Sequence, residues 1–453
     1  MPSEARIAAF AVLRRTFEHG AYTDRAFGSA ARELDGRDRA FAMRLAYGAV
    51  QRAATLDHLI AQCSERPVSR LDPPLLAALR LGSYELCFMG SAAHAAVNDA
   101  VELAGASRGQ GLVNAVLRRV AREHTDLLAL LDDSTPEGAA TLHSLPLWIV
   151  EQWWAALGPD DARALLARIN KPAEHALRAN TLRTDAEALA AALAVRTSVP
   201  GDPAEAVCVL EPFDAHGSPQ WQAGLLMPQS RAAMLVAHAL DPQPGERVLD
   251  MCAAPGAKTT HIAALMQDQG EIVAIERHKG RADAMRRTVA RMHAHHITVE
   301  AVDAIEYRAD GAGFDRVLLD APCSGLGTLQ SRPDLRWRVS PESVRALVAA
   351  QARLLSAAAL ALAPGGTLVY STCTISAAEN EQQIGTFLDE HRDFAAIDLE
   401  PRFAAWTHPH VHGQLLALPH VQGSDGFFIA ALRRDEGPTA AGRGVTGERD
   451  DER

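Results

Sequence analysis

The chain has 453 residues, a formal net charge of −11 and an apolar fraction of 48%, which is enough for two or three domains with sizeable cores. No window reaches the roughly 18 uninterrupted apolar residues of a membrane span, and residues 1–6 lack the start of a secretion signal, so we expect a cytoplasmic protein with no membrane partner. The six scattered cysteines lack metal-type spacing, so we expect reduced thiols and no metal, while the acidic balance excludes a chain that binds phosphates over its whole surface.

The first 130 residues are predicted to be all helical, because apolar residues such as Phe10, Leu13 and Phe17 recur at helical spacing. The stretch 124–138, with Asp132-Asp133-Ser134-Thr135-Pro136, predicts a linker. Residues 140–225 predict a small mixed α+β domain. It contains a helix with Trp148, Trp153 and Trp154, a strand over 178–184, an alanine-rich helix and a second strand over 207–210.

From residue 226 the pattern changes to alternating strands and helices, which favours a parallel, doubly wound α/β sheet over 226–434. The strands are predicted at 247–250, 271–276, 296–302, 314–320, 366–370 and 427–430. The helices are predicted at 258–266, 281–292, 341–362 and 377–390. Residues 435–453 are charged and rich in glycine, and we expect them to be disordered.

A loop of small residues joins the first of these strands to the next helix, over 248–260. Small residues let backbone N–H groups approach a ligand closely. Cys252 and Ala257 occupy the two glycine positions of a phosphate-binding P-loop, and the dinucleotide fingerprint is absent, so both of those nucleotide sites are excluded. The arrangement fits a methyltransferase-type sheet instead, with Glu276 after the second strand for ribose hydroxyls and Asp303 after the third strand for an adenine amino group.

Two cysteines follow apolar strands, Cys323 after Asp320-Ala321-Pro322 and Cys373 between Thr372 and Thr374. Parallel strands deliver both to one edge of the sheet. A thiolate that adds to carbon 6 of a pyrimidine makes carbon 5 nucleophilic toward a methyl donor. Asp320 can offset the charge that develops near ring N3, and a second thiol can remove the carbon-5 proton. This reasoning from the residues does not choose which cysteine attacks.

These motifs resemble those of the RNA (cytosine-5) methyltransferases, in particular the bacterial ribosomal-RNA branch known as Sun, Fmu or RsmB. The resemblance is carried by segments 250–260, 320–325 and 371–373, together with 178–183, 333–337, 379–380 and 425–428. The helical N-terminal region resembles a NusB-like RNA-binding domain through segments 38–41, 81–86, 94–101 and 113–119. The family implies a class I, Rossmann-like S-adenosylmethionine domain that follows the NusB-like domain and the middle domain. The chain departs from the family pattern at Ala257, Glu276 and Gln330-Ser331-Arg332.

The resemblance implies a role for each site residue. Cys373 would be the nucleophile, Cys323 would assist release, and Asp320 would be the acid at the base edge. The residues that would hold S-adenosylmethionine are Cys252, Ala253, Ala254, Pro255, Gly256, Ala257, Lys258, Glu276 and Asp303, with Asp320 nearby.

The expected product is 5-methylcytosine in 16S ribosomal RNA, made by a monomer whose partner is the small-subunit RNA. We expect Arg118, Arg119 and Arg122 to contact phosphates. One alternative is a transfer-RNA cytosine-5 methyltransferase, which the NusB-like region argues against. Another is a non-catalytic RNA-binding or assembly factor, which the intact Cys323, Cys373 and Asp320 argue against.

Overall fold

The fold is taken from a computed structural model that describes residues 1–105, 109–309, 311 and 313–436. Residues 437–453 of the expected disordered tail lie outside the described residues. The first residue of that predicted tail is ordered by backbone hydrogen bonds, because Asp435 N–H donates to Asp393 and Gly365 N–H donates to Asp435.

The N-terminal part is helical, as the sequence predicts. Ser3 caps the first helix by accepting a hydrogen bond from the Arg6 N–H, and the helices bury an apolar core that includes Val12, Leu13 and Leu45. A π-helical turn, Glu85–Met89, extends the fifth helix. The helices are α1 (Glu4–His19), α2 (Thr23–Ala30), α3 (Gly36–Gln51), α4 (Ala53–Ser64), α5 (Pro73–Tyr84), α6 (Ala93–Leu103) and α7 (Gln110–Ala129).

The predicted linker over 124–138 is shorter in the structure and spans 130–135, because helix α7 continues to Ala129 and the next helix begins at Pro136. Leu127 packs on the N-terminal core and so keeps the last turn of α7 folded. Three helices follow: α8 (Pro136–His143), α9 (Leu147–Leu157) and α10 (Pro159–Arg168). Trp153 is fully buried in the core that these helices share with the large sheet, so they do not form a core with the small sheet.

A small antiparallel sheet follows, with strand order β2-β3-β1-β4. Its first strand is shorter than predicted, since the chain turns after Ala179. The Asn180 side chain there donates to the Gly224 and Met292 carbonyls at 2.8 and 2.9 Å. The elements are β1 (Ala176–Ala179), α11 (Ala186–Ala192), β2 (Thr197–Ser198), β3 (Ala206–Val209), α12 (Pro219–Gln222) and β4 (Leu226–Pro228).

The C-terminal part contains the large sheet, with strand order β10-β12-β9-β8-β5-β6-β7 and β11 paired with β12. Its strands are β5 (Arg247–Asp250), β6 (Glu271–Ile275), β7 (Ile297–Glu300), β8 (Phe314–Asp320), β9 (Leu362–Thr372), β10 (Phe394–Ile397), β11 (Leu415–Ala417) and β12 (Phe427–Arg434). Its helices are α13 (Arg231–Leu240), α14 (Ala257–Leu265), α15 (Lys279–Arg291), α16 (Leu335–Arg338), α17 (Pro341–Ala361), α18 (Glu381–Glu390) and α19 (Pro419–Gln422).

Neighbouring strands in the run β7-β6-β5-β8-β9 are parallel, as predicted. The sheet is not parallel throughout 226–434, because β12 runs antiparallel to β9 and also pairs antiparallel with β10 and β11. The carboxyl ends of β5, β6, β7, β8 and β9 therefore meet at one edge. The strand order reverses beside β5, and open α/β sheets bind ligands at such a switch point.

Among the described helices, α17 is long and apolar enough to cross a membrane by length and composition alone. It packs on β8, β9 and α18, and Leu354, Leu355 and Ala358 lie in the main core. This is the packing of a core helix.

Candidate active site at the carboxyl edge of the sheet

The loop between β5 and α14 carries the predicted cofactor motif. Its glycine, Gly256, has a φ of +98°, and a Cβ there would lie 3.1 Å from the Met285 side chain, so the position favours glycine. The Thr259 hydroxyl donates to Asp250 Oδ2 at 2.7 Å. Burial raises the pKa of Asp250 to about 7, and among the described residues its Oδ1 has no hydrogen-bond partner. The Asp250 side chain is fully buried, so it fixes the start of α14 through Thr259 beneath this loop.

A cavity of about 480 Å³ opens above this edge. Of the predicted cofactor residues, it is lined by Cys252, Ala254, Glu276, Asp303 and Asp320. The residues that do not line it are Ala253, Pro255, Gly256, Ala257 and Lys258. Ala253, Pro255 and Gly256 form the turn before α14, which begins at Ala257. Lys258 contacts Asp320, which lines the cavity.

Two acids stand at successive strand ends. Glu276, directly after β6, accepts a hydrogen bond from the His278 N–H at 2.8 Å and lies 3.2 Å from the Arg281 guanidinium. Asp303, after β7, accepts from the Ile305 N–H at 2.9 Å. Each carboxylate is oriented by its own local backbone, and both line the cavity.

Asp320 ends β8 and is held by two side chains. Lys258 Nζ lies 2.7 Å from Oδ2, and the Ser371 hydroxyl donates to Oδ1 at 2.9 Å. Burial alone would lower the pKa of Lys258, but the Asp320 carboxylate raises it above its usual value. The result is a half-buried pair that keeps the ammonium charged beside the cavity.

The two predicted cysteines meet in this cavity. β8 and β9 pair in register, with Asp320 opposite Ser371, so the loops that follow both strands carry their thiols to the same place. The Sγ atoms of Cys323 and Cys373 lie 3.4 Å apart. The sequence predicted one pocket for both thiols, and the strand pairing explains their contact.

The two thiols differ in acidity. The hydrogen bond between the two sulfurs lowers the pKa of Cys373, and the nearby charges of Arg332 and Lys258 lower it further. The same hydrogen bond raises the pKa of Cys323 well above its usual value, and burial adds to that rise. The positive charges beside Cys373 favour its thiolate, so Cys373 is the more nucleophilic sulfur of the pair.

A buried carboxylate that sequence reasoning did not assign to the site holds the Cys323 loop. Glu379 is fully buried and accepts three hydrogen bonds, from Ser324 N–H at 2.8 Å, Ser324 Oγ at 2.6 Å and Gln351 Nε2 at 3.1 Å. Gln351 Nε2 also donates to the Pro322 carbonyl at 2.9 Å. Residues on both sides of Cys323 are therefore fixed. The only sequence signal was that Glu379 belongs to one of the family-like segments.

The family-like segment 425–428 secures the same loop by a close backbone contact. Gly327 N–H donates to the Cys373 carbonyl at 3.0 Å, and Gly426 N–H donates to the Gly327 carbonyl at 2.8 Å. A Cβ on Gly327 would lie 2.0 Å from Gly426 O. Both positions therefore need glycine, and the contact ties both cysteine loops to β12.

The segment 333–337 fixes the helical N-terminal part rather than lining the cavity. Arg336 is fully buried, and its Nη1 donates to the Gln51 and Ser144 carbonyls and to Asn170 Oδ1 at 2.9, 3.1 and 3.1 Å. Trp337 Nε1 donates to the Val50 carbonyl at 2.7 Å. Arg332, just before this segment, lines the cavity. One short stretch therefore connects the site with the end of α3.

The arginines expected to contact phosphates differ in their surroundings. Arg119 pairs with Glu65 at 3.0 Å and with Glu123 at 2.8 Å, so its charge is already matched. Arg118 and Arg122 line a groove of about 510 Å³ between α6 and α7. The phosphate role stays a prediction, and it fits Arg118 and Arg122 better than Arg119.

A mixed sheet whose parallel part has a small-residue loop after β5 and acids after β6 and β7 is the fold and site of an S-adenosylmethionine-dependent methyltransferase. Residues 237–433 match the family 16S rRNA methyltransferase RsmB/F, residues 3–122 match the NusB family, and residues 145–214 match the ferredoxin-like domain of RsmF/B-like methyltransferases.

A probable ribosomal RNA small subunit methyltransferase B of Synechocystis is 38% identical over 95% of this chain and 99% of its own length. Another of Bacillus subtilis is 35% identical over 89% of this chain and 92% of its own length. The chain therefore belongs to the 16S rRNA methyltransferase RsmB/F family, and it is an S-adenosylmethionine-dependent RNA methyltransferase.

Solved structures agree with this assignment. The crystal structure of PH0851 superposes with a TM-score of 0.79 at 26% identity and covers 96% of this chain and 99% of its own. A methyltransferase homolog protein from Pyrococcus horikoshii gives a TM-score of 0.58 at 28% identity over 65% of this chain and 97% of its own. The predicted family, three-part fold class and cofactor are confirmed. The domain limits 1–130, 140–225 and 226–434 stay predictions, as do the roles of individual site residues.

Proposed function

We propose that this protein transfers a methyl group to carbon 5 of a cytosine in 16S ribosomal RNA, with Cys373 as the nucleophile. The observation that carries the proposal is the 3.4 Å separation of the Cys373 and Cys323 sulfurs. Both sulfurs lie in a cavity that is also lined by Asp320, Glu276 and Asp303. Methylation of a ring carbon needs a nucleophile and a base, and this pair offers both.

The residues around the cavity fit S-adenosylmethionine. Glu276 offers its carboxylate to ribose hydroxyls, Asp303 offers its carboxylate to the adenine amino group, and the 251–256 backbone allows close approach. When bound, the cofactor supplies an electrophilic methyl group.

Cys373 begins the reaction as a thiolate. Its sulfur bonds to carbon 6 of the cytosine, and the electron pair of the 5,6 double bond moves toward carbon 5 and ring N3. Lys258 donates a hydrogen bond to Asp320, and a proton passed from this pair to N3 offsets the charge that develops there, which lowers the barrier to addition. Carbon 5 then has the enamine character needed to take the methyl group.

Cys323 completes the reaction as a base. The neighbouring Cys373 sulfur is what most raises the pKa of Cys323, and that effect ends once Cys373 is bonded to carbon and neutral. Cys323 then gives its proton to solvent and removes the proton from carbon 5. The electrons of that C–H bond restore the 5,6 double bond and expel the Cys373 thiolate.

Small-subunit RNA is the substrate that family membership supports best. The target base has to leave its stack to reach a cavity at a sheet edge. Arg118 and Arg122 in the helical N-terminal part are suitable phosphate contacts. The segment with Arg336 keeps that part in a fixed orientation to the site.

The test is tritium transfer from labelled S-adenosylmethionine to protein-free 16S RNA, to small subunits and to transfer RNA, followed by bisulfite sequencing. We expect one protected cytosine in 16S RNA and none in transfer RNA. Cys373→Ala should abolish transfer, while Cys208→Ser, a matched change outside the cavity, should not reduce it. Methylation confined to transfer RNA, or transfer that survives Cys373→Ala, contradicts the proposal.

A further inference from the structure

The two cysteines of the cavity are close enough to react with each other. Their sulfurs lie 3.4 Å apart, whereas a disulfide bond is about 2.05 Å long. The loops that carry them leave adjacent, paired strands, β8 and β9, so only side-chain rotation and a small loop movement separate the thiols from a bond.

Both sulfurs are reachable from solvent through the cavity. Cys323 and Cys373 are half-buried and line it together, and Arg332 stands at its exposed rim. Oxidation of a thiol pair begins at the sulfur that is more readily deprotonated, and here this is Cys373. Cys323 is the second thiol, which can react with the oxidised sulfur. Cys252 lines the same cavity, but burial raises the pKa of its thiol, so it is the less reactive sulfur.

We propose that Cys323 and Cys373 form a modification site at which a hydroperoxide converts the two thiols into an intramolecular disulfide that reversibly blocks methyl transfer. The block rests on the proposed nucleophilic role of Cys373. The Cys373 thiolate attacks the peroxide O–O bond, becomes a sulfenic acid and releases hydroxide, or an alcohol from an organic peroxide. The Cys323 sulfur then bonds to the Cys373 sulfur and expels water, so two thiols are oxidised as one peroxide is reduced.

The disulfide should separate cofactor binding from chemistry. Asp250, Glu276 and Asp303 contribute no sulfur to the bond and keep their own local hydrogen bonds. The oxidised protein should therefore bind S-adenosylmethionine with nearly unchanged affinity while it transfers no methyl group. Oxidation that unfolds the protein or damages other residues would abolish both cofactor binding and methyl transfer.

The experiment treats the full chain with hydrogen peroxide, blocks free thiols with iodoacetamide and maps tryptic peptides. Residues 317–336 and 354–392 should form a cross-linked pair, since each segment contains a single cysteine and ends at a trypsin site. Methyl transfer should fall to background and return after dithiothreitol, while calorimetric binding of S-adenosylmethionine stays within twofold. Cys208→Ser should behave like the wild type. Cys323→Ser should give no cross-link and should leave Cys373 to be oxidised beyond rescue by dithiothreitol.

Two results overturn the inference, and they are distinguishable. In the first result, the untreated protein methylates RNA, but peroxide gives sulfinic acid on Cys373 while Cys323 is still alkylated. This result refutes the disulfide and leaves the proposed function intact. Fully cross-linked protein that still methylates RNA refutes the block and also the assignment of Cys373 as the nucleophile.

Discussion

Replacing Glu379 with alanine removes the carboxylate that holds the Cys323 loop. Three donors lose an acceptor, but Ser324 Oγ keeps Thr374 Oγ1 at 2.7 Å and Gln351 Nε2 keeps the Pro322 carbonyl at 2.9 Å. Only the Ser324 N–H loses every protein acceptor. A buried unsatisfied donor costs about 1–3 kcal/mol, and two weakened hydrogen bonds add to it, so we expect about 2–4 kcal/mol of destabilisation. Urea unfolding followed by tryptophan fluorescence measures this loss.

Glu379→Ala should slow the release of the methylated base from Cys373 rather than the attack of Cys373 on the base. Cys323 loses its fixed position, and a displacement of about 1 Å at a reacting group can cost about 10²-fold in rate. Glu379→Ala should therefore accumulate a covalent protein–RNA intermediate, while Glu379→Gln, which keeps one oxygen, should show a smaller defect. Glu381→Gln is the matched control, because the Glu381 carboxylate lies 3.6 Å from His408 and not against the Cys323 loop. Wild-type turnover without an accumulated intermediate in Glu379→Ala would refute the positioning role.

Three further changes test other contacts of the site. Lys258→Met removes the ammonium that faces Asp320 and helps to lower the pKa of Cys373. The acid limb of the pH–rate profile should therefore move to higher pH, and the rate of methyl transfer should fall by about 10²-fold or more. An acid limb that does not move contradicts this expectation. Burial lowers the pKa of His261 from 6.5 to about 3. The folded state therefore binds fewer protons than the unfolded state between those values, and stability should fall as pH drops through that window; His261→Phe should flatten this slope in denaturation measurements. Arg336→Ala leaves the Gln51 and Ser144 carbonyls without this donor, so hydrogen exchange at the end of α3 should accelerate, and unchanged exchange would show that Arg336 does not fix that part.

The sequence predicts those parts of the site whose signal is local. Strands β5 and β8 begin and end at the residues predicted, because an apolar run followed by Asp and small residues leaves few alternatives. The proximity of Cys323 and Cys373 also follows from local patterns, since two parallel strands must end at one edge.

Other contacts depend on residues far apart in the chain, and no local pattern encodes them. Glu379 meets Ser324 across 55 positions, and Arg336 meets Gln51 across 285. A buried, satisfied polar residue looks the same in sequence as a solvated one. The linker predicted over 124–138 is too long for a related reason, because its turn residues 132–136 are visible in the sequence but the end of α7 is set by the packing of Leu127 on the N-terminal core.

The central claim is that Cys373 attacks the base and Cys323 releases it. The most direct measurement is denaturing gel electrophoresis of Cys323→Ala and Cys373→Ala after incubation with radiolabelled 16S RNA and S-adenosylmethionine. We expect a slowly migrating protein–RNA adduct for Cys323→Ala and none for Cys373→Ala or the double variant. An adduct with Cys373→Ala and none with Cys323→Ala would reverse the two roles and contradict the account.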